Sequence, residues 1–257
     1  MAGSTNDASN LVSSWDPFAN KWSRENYSAE SVVRTKKDLA EIFREKPHGI
    51  HAAPNDDDIA TIHGLVVGPV GTPYEGGLFH FLLRTPPTYP YEPPRVKLLT
   101  TGGGTVRFNP NLYMNGKVCL SIIGTWPGPA WTAAQSLLSV LVSIQSLMNE
   151  RPYHNEPGYE KEMEVGAADK YNDIIAYETL RVAVCETMEN FSTQYPAMLT
   201  KPLKQLFRDR IPFYITRATQ LSERLDGQTS QDVFTGNKVT FNFNSVIERL
   251  QKLKQTI

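Results

Sequence analysis

The sequence predicts an α+β protein in which one helix precedes a short antiparallel meander and several helices follow it. Apolar residues recur at helical spacing over residues 28–46, three short β-rich runs lie within residues 62–100, and helical spacing returns after residue 131. Hydrophobic residues make up 40% of the 257 positions. This is enough for one well-buried core with an extension, or for two modest domains.

The first helix is predicted over residues 28–46, with charged residues between its apolar positions. The apolar positions are Val32, Leu39, Ile42 and Phe43. A Pro-His-Gly tripeptide follows at residues 47–49 and ends the helix, because proline and glycine are strong breakers.

Three strands are predicted, over residues 62–68, 78–84 and 95–100. In the second run, phenylalanine and leucine at alternating positions have the period of a half-buried strand. Short turns rich in Gly and Pro separate the runs, which favours antiparallel neighbours over helical crossovers.

Two loops in this region allow functional interpretations. Five of residues 86–94 are prolines, which suits either a ligand for a proline-recognition module or a rigid loop packed on the sheet. We favour the rigid loop because the segment lies inside the strand region. Residues 102–104 are all glycine, but no Lys-Ser/Thr pair follows, so we expect a surface loop rather than a phosphate site.

The second half of the chain is predicted to be mainly helical. A buried helix is expected between Trp131 and Met148, starting at a capping box of Thr132 and Gln135. A stripe of serines on one side and prolines before it make a buried soluble helix a better interpretation than a membrane span. Another helix is expected over residues 167–191, and residues 239–243 suit a strand or an extended pairing segment.

Charge and cysteine content exclude several classes of function. The 26 basic and 27 acidic residues give a net charge of −1, which offers no field for binding nucleic acid. The first ten residues have no apolar core like that of a secretory signal. The two cysteines suit neither a disulfide framework nor a zinc site, so we expect reduced thiols, no bound metal and an intracellular protein whose partners are other proteins or small molecules.

Each cysteine has two interpretations. Cys119 lies in a turn-rich segment and is either a packed apolar residue or a nucleophile in a loop. None of the five histidines has a protease-like local signature, although a Cys–His hydrolase stays open because its partners would meet in space. Cys185 lies at helical spacing with Leu180 and Met188, and we interpret it as structural.

The segment around Cys119 resembles the signature of the ubiquitin-conjugating enzyme family. Asn109-Pro110-Asn111 precedes Cys119-Leu120 at the spacing at which the family has His-Pro-Asn and Cys-Leu. Further family motifs occur in the family's order: Gly68-Pro69, residues 72–77, residues 89–94 and residues 126–130. The resemblance covers roughly residues 28–191.

This resemblance implies the UBC fold: an N-terminal helix, a four-stranded antiparallel meander, an active-site loop and following helices. It places the fourth strand near residues 107–109. We therefore expect a flexible polar tail over residues 1–27, a UBC core over residues 28–191 and a mainly helical C-terminal extension over residues 192–257.

The resemblance also implies a mechanism. Cys119 would carry ubiquitin, or a ubiquitin-like protein, as a thioester, and pass it to a substrate lysine or a ligase cysteine. Asn111 would stabilise the oxyanion or order the loop, and Glu156 would activate the lysine in place of the acidic residue that is Ser121 here. Asn109 replaces the family histidine, so the contacts of that ring must be made differently. No cofactor is needed, since the activating enzyme consumes the ATP.

The implied partners are ubiquitin or a ubiquitin-like modifier, a ubiquitin-activating enzyme and ubiquitin ligases. The extension and the sequence around Cys119 are most similar to a family member charged by the alternative activating enzyme. The ligase and activating-enzyme surface would use Arg34, Lys37, Tyr91, Pro129 and Ala130.

We also expect a monomer in the cytoplasm, and in the nucleus as a second compartment, without nucleic-acid or membrane partners. Ala52 is expected near a serine that several relatives carry on the sheet face that binds a second ubiquitin, which argues against that site here. The competing hypothesis is a catalytically weak UBC-fold module that binds ubiquitin or scaffolds a ligase.

Overall fold

The protein is represented by a computed structural model, which describes residues 14–19, 22 and 25–257. The helices are α1 (Ala29–Glu45), α2 (Leu137–Leu147), α3 (Ala167–Glu178), α4 (Thr187–Gln194), α5 (Ala197–Leu225) and α6 (Phe243–Thr256). The strands are β1 (Ile50–Pro54), β2 (Thr61–Val67), β3 (Leu78–Arg84), β4 (Arg95–Leu98), β5 (Thr229–Gln231) and β6 (Lys238–Thr240). Short 3₁₀ segments span Ser121–Ile123 and Pro152–Asn155, and a π-helical segment, Thr179–Glu186, joins α3 to α4.

The first four strands form one antiparallel sheet in the order β1-β2-β3-β4, which confirms the predicted α+β meander. The fourth strand is not where it was expected. Residues 107–109 contribute only an isolated bridge between Asn109 and Leu112, and the missing strand is β1, before the other three. The centre of β1 is His-Ala-Ala, which lacks the β-branched and aromatic residues that give a strand its signal. Pairing with β2 along its whole length makes it a strand.

Helix α1 is capped by Ser28, whose side chain accepts a hydrogen bond from the backbone of Ser31. Its most buried positions include three polar residues, Ser31, Thr35 and Asp38, while Phe43 is 75% exposed. The apolar spacing therefore predicted the helix correctly but misassigned part of its buried face. Hydrogen bonding explains the difference, because a buried polar group is stable when it is paired.

Helix α2 begins at Leu137, five residues later than its predicted start at Thr132. Ser136 and Ser139 form the capping box at this point, and the predicted pair of Thr132 and Gln135 closes a turn before the helix. Thr132 and Gln135 fit the Ser/Thr-x-x-Glu/Gln pattern of a capping box, whereas the third residue after Ser136 is a serine, so local sequence favoured the earlier start. None of the described helices is long and apolar enough to cross a membrane.

One core lies between the sheet and helices α1, α2 and α3. Val66 and Phe81 from the inner sheet face and Leu141 from α2 are fully buried in it. The helix expected over residues 167–191 is formed by α3, the π-helical segment and α4, and Cys185 is buried in the π-helical part.

The C-terminal extension covers the outer face of the sheet. Leu65, Val67 and Leu78 pack in a second apolar cluster with residues of α5 such as Phe207. The Tyr214 hydroxyl donates a hydrogen bond to the backbone oxygen of Gly76, at 2.8 Å. Strand β6 begins just before the predicted pairing segment 239–243 and pairs with β5 in a hairpin.

Ala52 was expected on the outer face of the sheet, but it lies on the inner face. It pairs with Gly64 and contacts the inner core, while its neighbour His51 pairs with Leu65 of the outer face. A one-residue error reverses the face because side chains alternate along a strand.

The described residues of the N-terminal segment contact strand β4. Asp16 Oδ2 lies 2.6 Å from Lys97 Nζ, Glu25 Oε1 lies 2.8 Å from an Arg95 nitrogen, and Arg95 Cζ lies 3.4 Å from the centre of the Trp22 ring. A flexible tail was predicted over residues 1–27. Of these, positions 1–13, 20, 21, 23 and 24 lie outside the described residues.

Candidate active site

Asn109 anchors the loop that carries Cys119. It is fully buried, and its side-chain amide donates to the Tyr74 hydroxyl at 2.9 Å and to the backbone oxygen of Leu147 at 2.8 Å. Its side-chain oxygen accepts a hydrogen bond from the backbone N–H of Asn111, at 3.0 Å. A buried amide with its donor and acceptor both used holds the loop between the sheet and the end of α2.

Asn111 and Cys119 are linked by two hydrogen bonds. The backbone N–H of Cys119 donates to the backbone oxygen of Asn111 at 2.9 Å, and Asn111 Nδ2 donates to the backbone oxygen of Cys119 at 3.1 Å. On the far side of Cys119, the Thr125 hydroxyl donates to the backbone oxygen of Val118 at 2.6 Å and accepts from the N–H of Leu120 at 3.0 Å. The backbone around Cys119 is thereby tied on both sides.

The Cys119 thiol is free, and the residue is 2% exposed. Burial raises the pKa of this thiol above its ordinary value, since the thiolate is poorly solvated. The positive charges of Lys117 and Arg107 and the Tyr113 hydroxyl lower this pKa, and the negative charge of Glu156 raises it further, but burial dominates. The neutral thiol is therefore the favoured resting form, and its ionisation depends on the charges around it.

Arg107 is the centre of the charged side of the site. One of its guanidinium nitrogens donates to the backbone oxygen of Pro110 at 2.6 Å and lies 3.2 Å from Glu156 Oε2. Arg107 Cζ lies 4.2 Å from the centre of the Tyr113 ring. Glu156, a predicted site residue that is distant from Cys119 along the chain, thus lies in the surroundings of Cys119 and is paired with an arginine.

The sequence reasoning did not identify Arg107 and Tyr113. Their signal in the sequence is weak: a cation and an aromatic residue on either side of the Asn-Pro-Asn triplet. Their role depends on contacts with residues that are distant along the chain.

The residues predicted to meet a ligase come together on another surface. Tyr91, Lys37, Pro129 and Ala130 are all exposed. The Tyr91 hydroxyl donates to Glu30 Oε1 at 2.9 Å, which joins the proline-rich loop to α1. The Trp131 ring N–H donates to the backbone oxygen of Pro90 at 2.7 Å, which joins that loop to the segment after Trp126.

Arg34 is engaged within the protein. Its guanidinium donates to Asp38 Oδ1 at 2.7 Å and to the backbone oxygens of Ala133 at 3.0 Å and Gln135 at 2.6 Å. Partial burial lowers the pKa of this guanidinium, but the hydrogen bond to Asp38 and the attraction of the nearby negative charges together outweigh burial and raise the pKa. Arg34 therefore fixes α1 to the segment before α2.

Asp38 is a buried carboxylate that sequence reasoning did not single out. Besides Arg34, it accepts hydrogen bonds from the Tyr89 hydroxyl and from the backbone N–H of Leu137, the latter at 3.1 Å. It thus connects α1, the proline-rich loop and the first residue of α2. The Tyr89 ring is buried, in agreement with the rigid-loop interpretation of this segment.

Three of the five histidines that the hydrolase hypothesis could use contact groups other than Cys119. His63 Nδ1 lies 2.9 Å from His80 Nε2 on the sheet, and His154 Nδ1 lies 2.6 Å from the backbone oxygen of Tyr159. Among the described residues, no group of three or more His, Cys, Asp or Glu side chains could hold a metal ion.

The comparisons with known proteins agree with this fold. The family model for ubiquitin-conjugating enzymes matches residues 34–176. The chain belongs to the ubiquitin-conjugating enzyme family. Membership of this family makes it a ubiquitin transferase.

Among individual proteins, the chain is similar to ubiquitin-conjugating enzyme E2 Z. It is 50% identical to the Xenopus tropicalis protein over 244 residues, which cover 95% of this chain and 77% of that protein. It is 48% identical to the Homo sapiens protein over 248 residues, covering 96% and 70% respectively. Among solved structures, the E2 domain of a Toxoplasma gondii ubiquitin conjugating enzyme matches with a TM-score of 0.48 and 30% identity, covering 59% of this chain and 97% of that chain.

Proposed function

We propose that this chain accepts the C-terminus of ubiquitin, or of a ubiquitin-like protein, as a thioester on the Cys119 sulfur. The thiolate of Cys119 attacks the thioester on a charged activating enzyme, whose own cysteine leaves as a thiolate. A lysine amine or a ligase cysteine then attacks the new thioester and releases the Cys119 thiol. The observation that supports this proposal is a free thiol in a loop tied by two hydrogen bonds to Asn111, at the family spacing.

A thioester is already activated, so the enzyme's tasks are to orient the amine, accept its proton and stabilise the oxyanion. Asn111 orders the loop through its side-chain amide, or supplies the oxyanion donor when the loop rearranges. Glu156 accepts the lysine proton, and its ion pair with Arg107 holds the carboxylate in place.

We further propose that the exposed surface of Lys37, Tyr91, Pro129 and Ala130 binds ligases and the activating enzyme. Arg34 contributes to it by fixing α1. The similarity to enzyme E2 Z supports charging by the alternative activating enzyme. The chain itself uses no cofactor, because ATP is consumed by the activating enzyme, and it acts as a monomer in the cytoplasm and nucleus.

Charging with purified components tests the proposal. Incubation with ATP, ubiquitin and each activating enzyme is expected to give an adduct that a thiol reductant removes. The variant Cys119→Ser is expected to give an adduct that resists reductant, because an oxyester replaces the thioester. Cys185→Ala is the matched control, since it removes the other thiol and leaves charging intact. No adduct with any activating enzyme and modifier tried would overturn the proposal.

The second candidate is a UBC-fold module that binds ubiquitin or scaffolds a ligase. The observation that favours it is the low exposure of Cys119, at 2%, together with a thiol pKa raised by burial. Charging without discharge to free lysine, to free cysteine or to any ligase tested would support this candidate over the enzyme.

A further inference from the structure

The hairpin of the C-terminal extension places one aromatic side chain, Phe234, in the UBC core. The ring of Phe234 lies 5.8 Å from that of Tyr153, 5.3 Å from Tyr159 and 4.9 Å from Tyr171, measured between ring centres. These distances are typical of aromatic pairs that stabilise one another. Phe234 is therefore held by three rings that the extension does not contain.

The turn that presents Phe234 is itself fixed by hydrogen bonds. Asp232 is buried; its side-chain oxygen accepts from the N–H of Phe234 at 2.8 Å, and its backbone oxygen accepts from the N–H of Gly236 at 2.7 Å. The N–H of Asp232 donates across the turn to the backbone oxygen of Asn237, at 2.8 Å. The position of the ring is thus set by the turn as well as by its neighbours.

Phe234 also contacts the charged side of the candidate active site. Arg107 Cζ lies 5.4 Å from the centre of the Phe234 ring and 4.2 Å from the centre of the Tyr113 ring. A guanidinium at these distances is attracted to the face of each ring. The same guanidinium pairs with Glu156, so a single residue of the extension contacts the group that organises the surroundings of Cys119.

We propose that Phe234 is a positioning residue for the chemistry at Cys119, which it affects by holding Arg107 against Tyr113 and Glu156. The inference rests on the proposed thioester function. It gives the extension an effect on the reacting thiol through Arg107, in addition to its packing on the sheet.

The physical consequence follows from the groups that face the thiol. These are Lys117, Arg107, Tyr113 and Glu156. Without the Phe234 ring, the long Arg107 side chain gains conformational freedom, and its positive charge spends less time beside the thiol. Glu156 then loses its partner, so its negative charge acts on the thiol with less compensation. Both changes disfavour the thiolate.

The test compares two conservative variants of the extension in the full chain. Phe234→Leu keeps an apolar side chain but removes the ring that faces Arg107. Phe241→Leu is the matched control, because that ring packs against Tyr177 and Phe243 in the second apolar cluster. Both are made in the Cys185→Ala background, so that Cys119 is the one thiol whose alkylation is measured.

Two measurements are made on each variant. The first is the pH dependence of alkylation by iodoacetamide, which requires no ubiquitin, and the second is the single-turnover rate of charging. For Phe234→Leu we expect the alkylation midpoint to move to higher pH and the charging rate at neutral pH to fall by about three- to tenfold. For Phe241→Leu we expect the alkylation midpoint of the parent.

Several outcomes would overturn the inference. One is an alkylation profile of Phe234→Leu equal to that of the parent, and another is an equal shift in both variants, which would indicate a general loosening of the extension. If Phe234→Leu does not fold, Arg107→Gln takes its place and must give the same upward shift. Failure of the proposed function is separate, since it would abolish charging in the parent while leaving the alkylation comparison readable.

Discussion

The side-chain amide of Asn111 donates to the backbone oxygen of Cys119, with 3.1 Å between the nitrogen and the oxygen. The backbone N–H of Cys119 returns a hydrogen bond to Asn111, at 2.9 Å. In this structure the amide is bonded to the loop backbone, and an oxyanion would be stabilised by the same amide only after it leaves the carbonyl or through its second N–H.

Replacing Asn111 by Ala separates the two roles. If the amide only orders the loop, charging and discharge to lysine should both fall by a similar factor, and unfolding should become easier by about 1–3 kcal/mol because the carbonyl of Cys119 loses its partner. If it also binds the oxyanion, discharge should fall by a further ~10²–10³. Single-turnover rates for each step, with denaturant unfolding, make the distinction. Equal rates in the parent and the variant would contradict both roles.

Replacing Glu156 by Gln should change two rates in opposite directions. Glu156 raises the pKa of the Cys119 thiol, so its neutralisation lowers that pKa and moves alkylation to lower pH. Discharge to lysine should fall on the order of 10²-fold, because the variant cannot accept the proton of the amine. Glu160→Gln, at an exposed position in the same loop, is the control. Discharge at the parental rate would exclude Glu156 as the base.

Substitutions of Arg34 and Lys37 should affect different properties: the first the free energy of unfolding, the second the affinity for a ligase. Arg34→Ala leaves the carboxylate of Asp38 buried without its cation and should lower the free energy of unfolding by about 3–5 kcal/mol. Lys37→Ala, at an exposed position, should change it by less than about 0.5 kcal/mol and still weaken ligase binding. Denaturant unfolding and titration with a ligase domain measure the two effects. A parental affinity in Lys37→Ala would remove it from the binding surface.

His80 should make the protein sensitive to mild acid. Burial and the neighbouring His63 lower the pKa of His80 to about 3, so the folded protein keeps this ring neutral where the unfolded chain binds a proton. Its contribution to stability is fully present above the unfolded pKa of about 6.5 and is lost by about 1.4 kcal/mol per pH unit as the pH falls from there towards the folded value. Urea unfolding between pH 7 and 4 should show a shallower slope in His80→Gln than in the parent. His48→Gln, at an exposed position, should retain the parental slope.

The extension should unfold together with the core. Phe207 is fully buried against the outer sheet face, so Phe207→Ala should lower the free energy of unfolding by about 3–5 kcal/mol. Met198→Ala, at a position 59% exposed in the same helix, should cost less than about 0.5 kcal/mol. Tryptophan fluorescence and circular dichroism should report a single transition. Two transitions, with only one of them affected by Phe207→Ala, would show an independent extension.

Elements with a strong local period were predictable from the sequence. The alternation over Leu78–Arg84 and the helical spacing over Ala29–Glu45 predicted both elements, but this strand is buried on both faces rather than half-buried, because the C-terminal extension covers its outer face. Strand β1 was missed because its central residues have little intrinsic preference, and only pairing with β2 makes it a strand. The start of α2 was misplaced because the Thr132–Gln135 pair, which fits the capping pattern but closes a turn, lies directly before the Ser136–Ser139 cap that the helix uses.

For the site, the sequence by itself determined the candidate nucleophile and its loop. The spacing of Asn111 and Cys119 is a local property of one segment. The loop between them is closed by hydrogen bonds between these two residues. The tertiary structure decided what surrounds the thiol. Arg107 meets Glu156 and Phe234 only after the chain has folded, because these contacts join residues far apart in the sequence. Burial and charge at Cys119 are sums over all such neighbours, so no single segment could specify them.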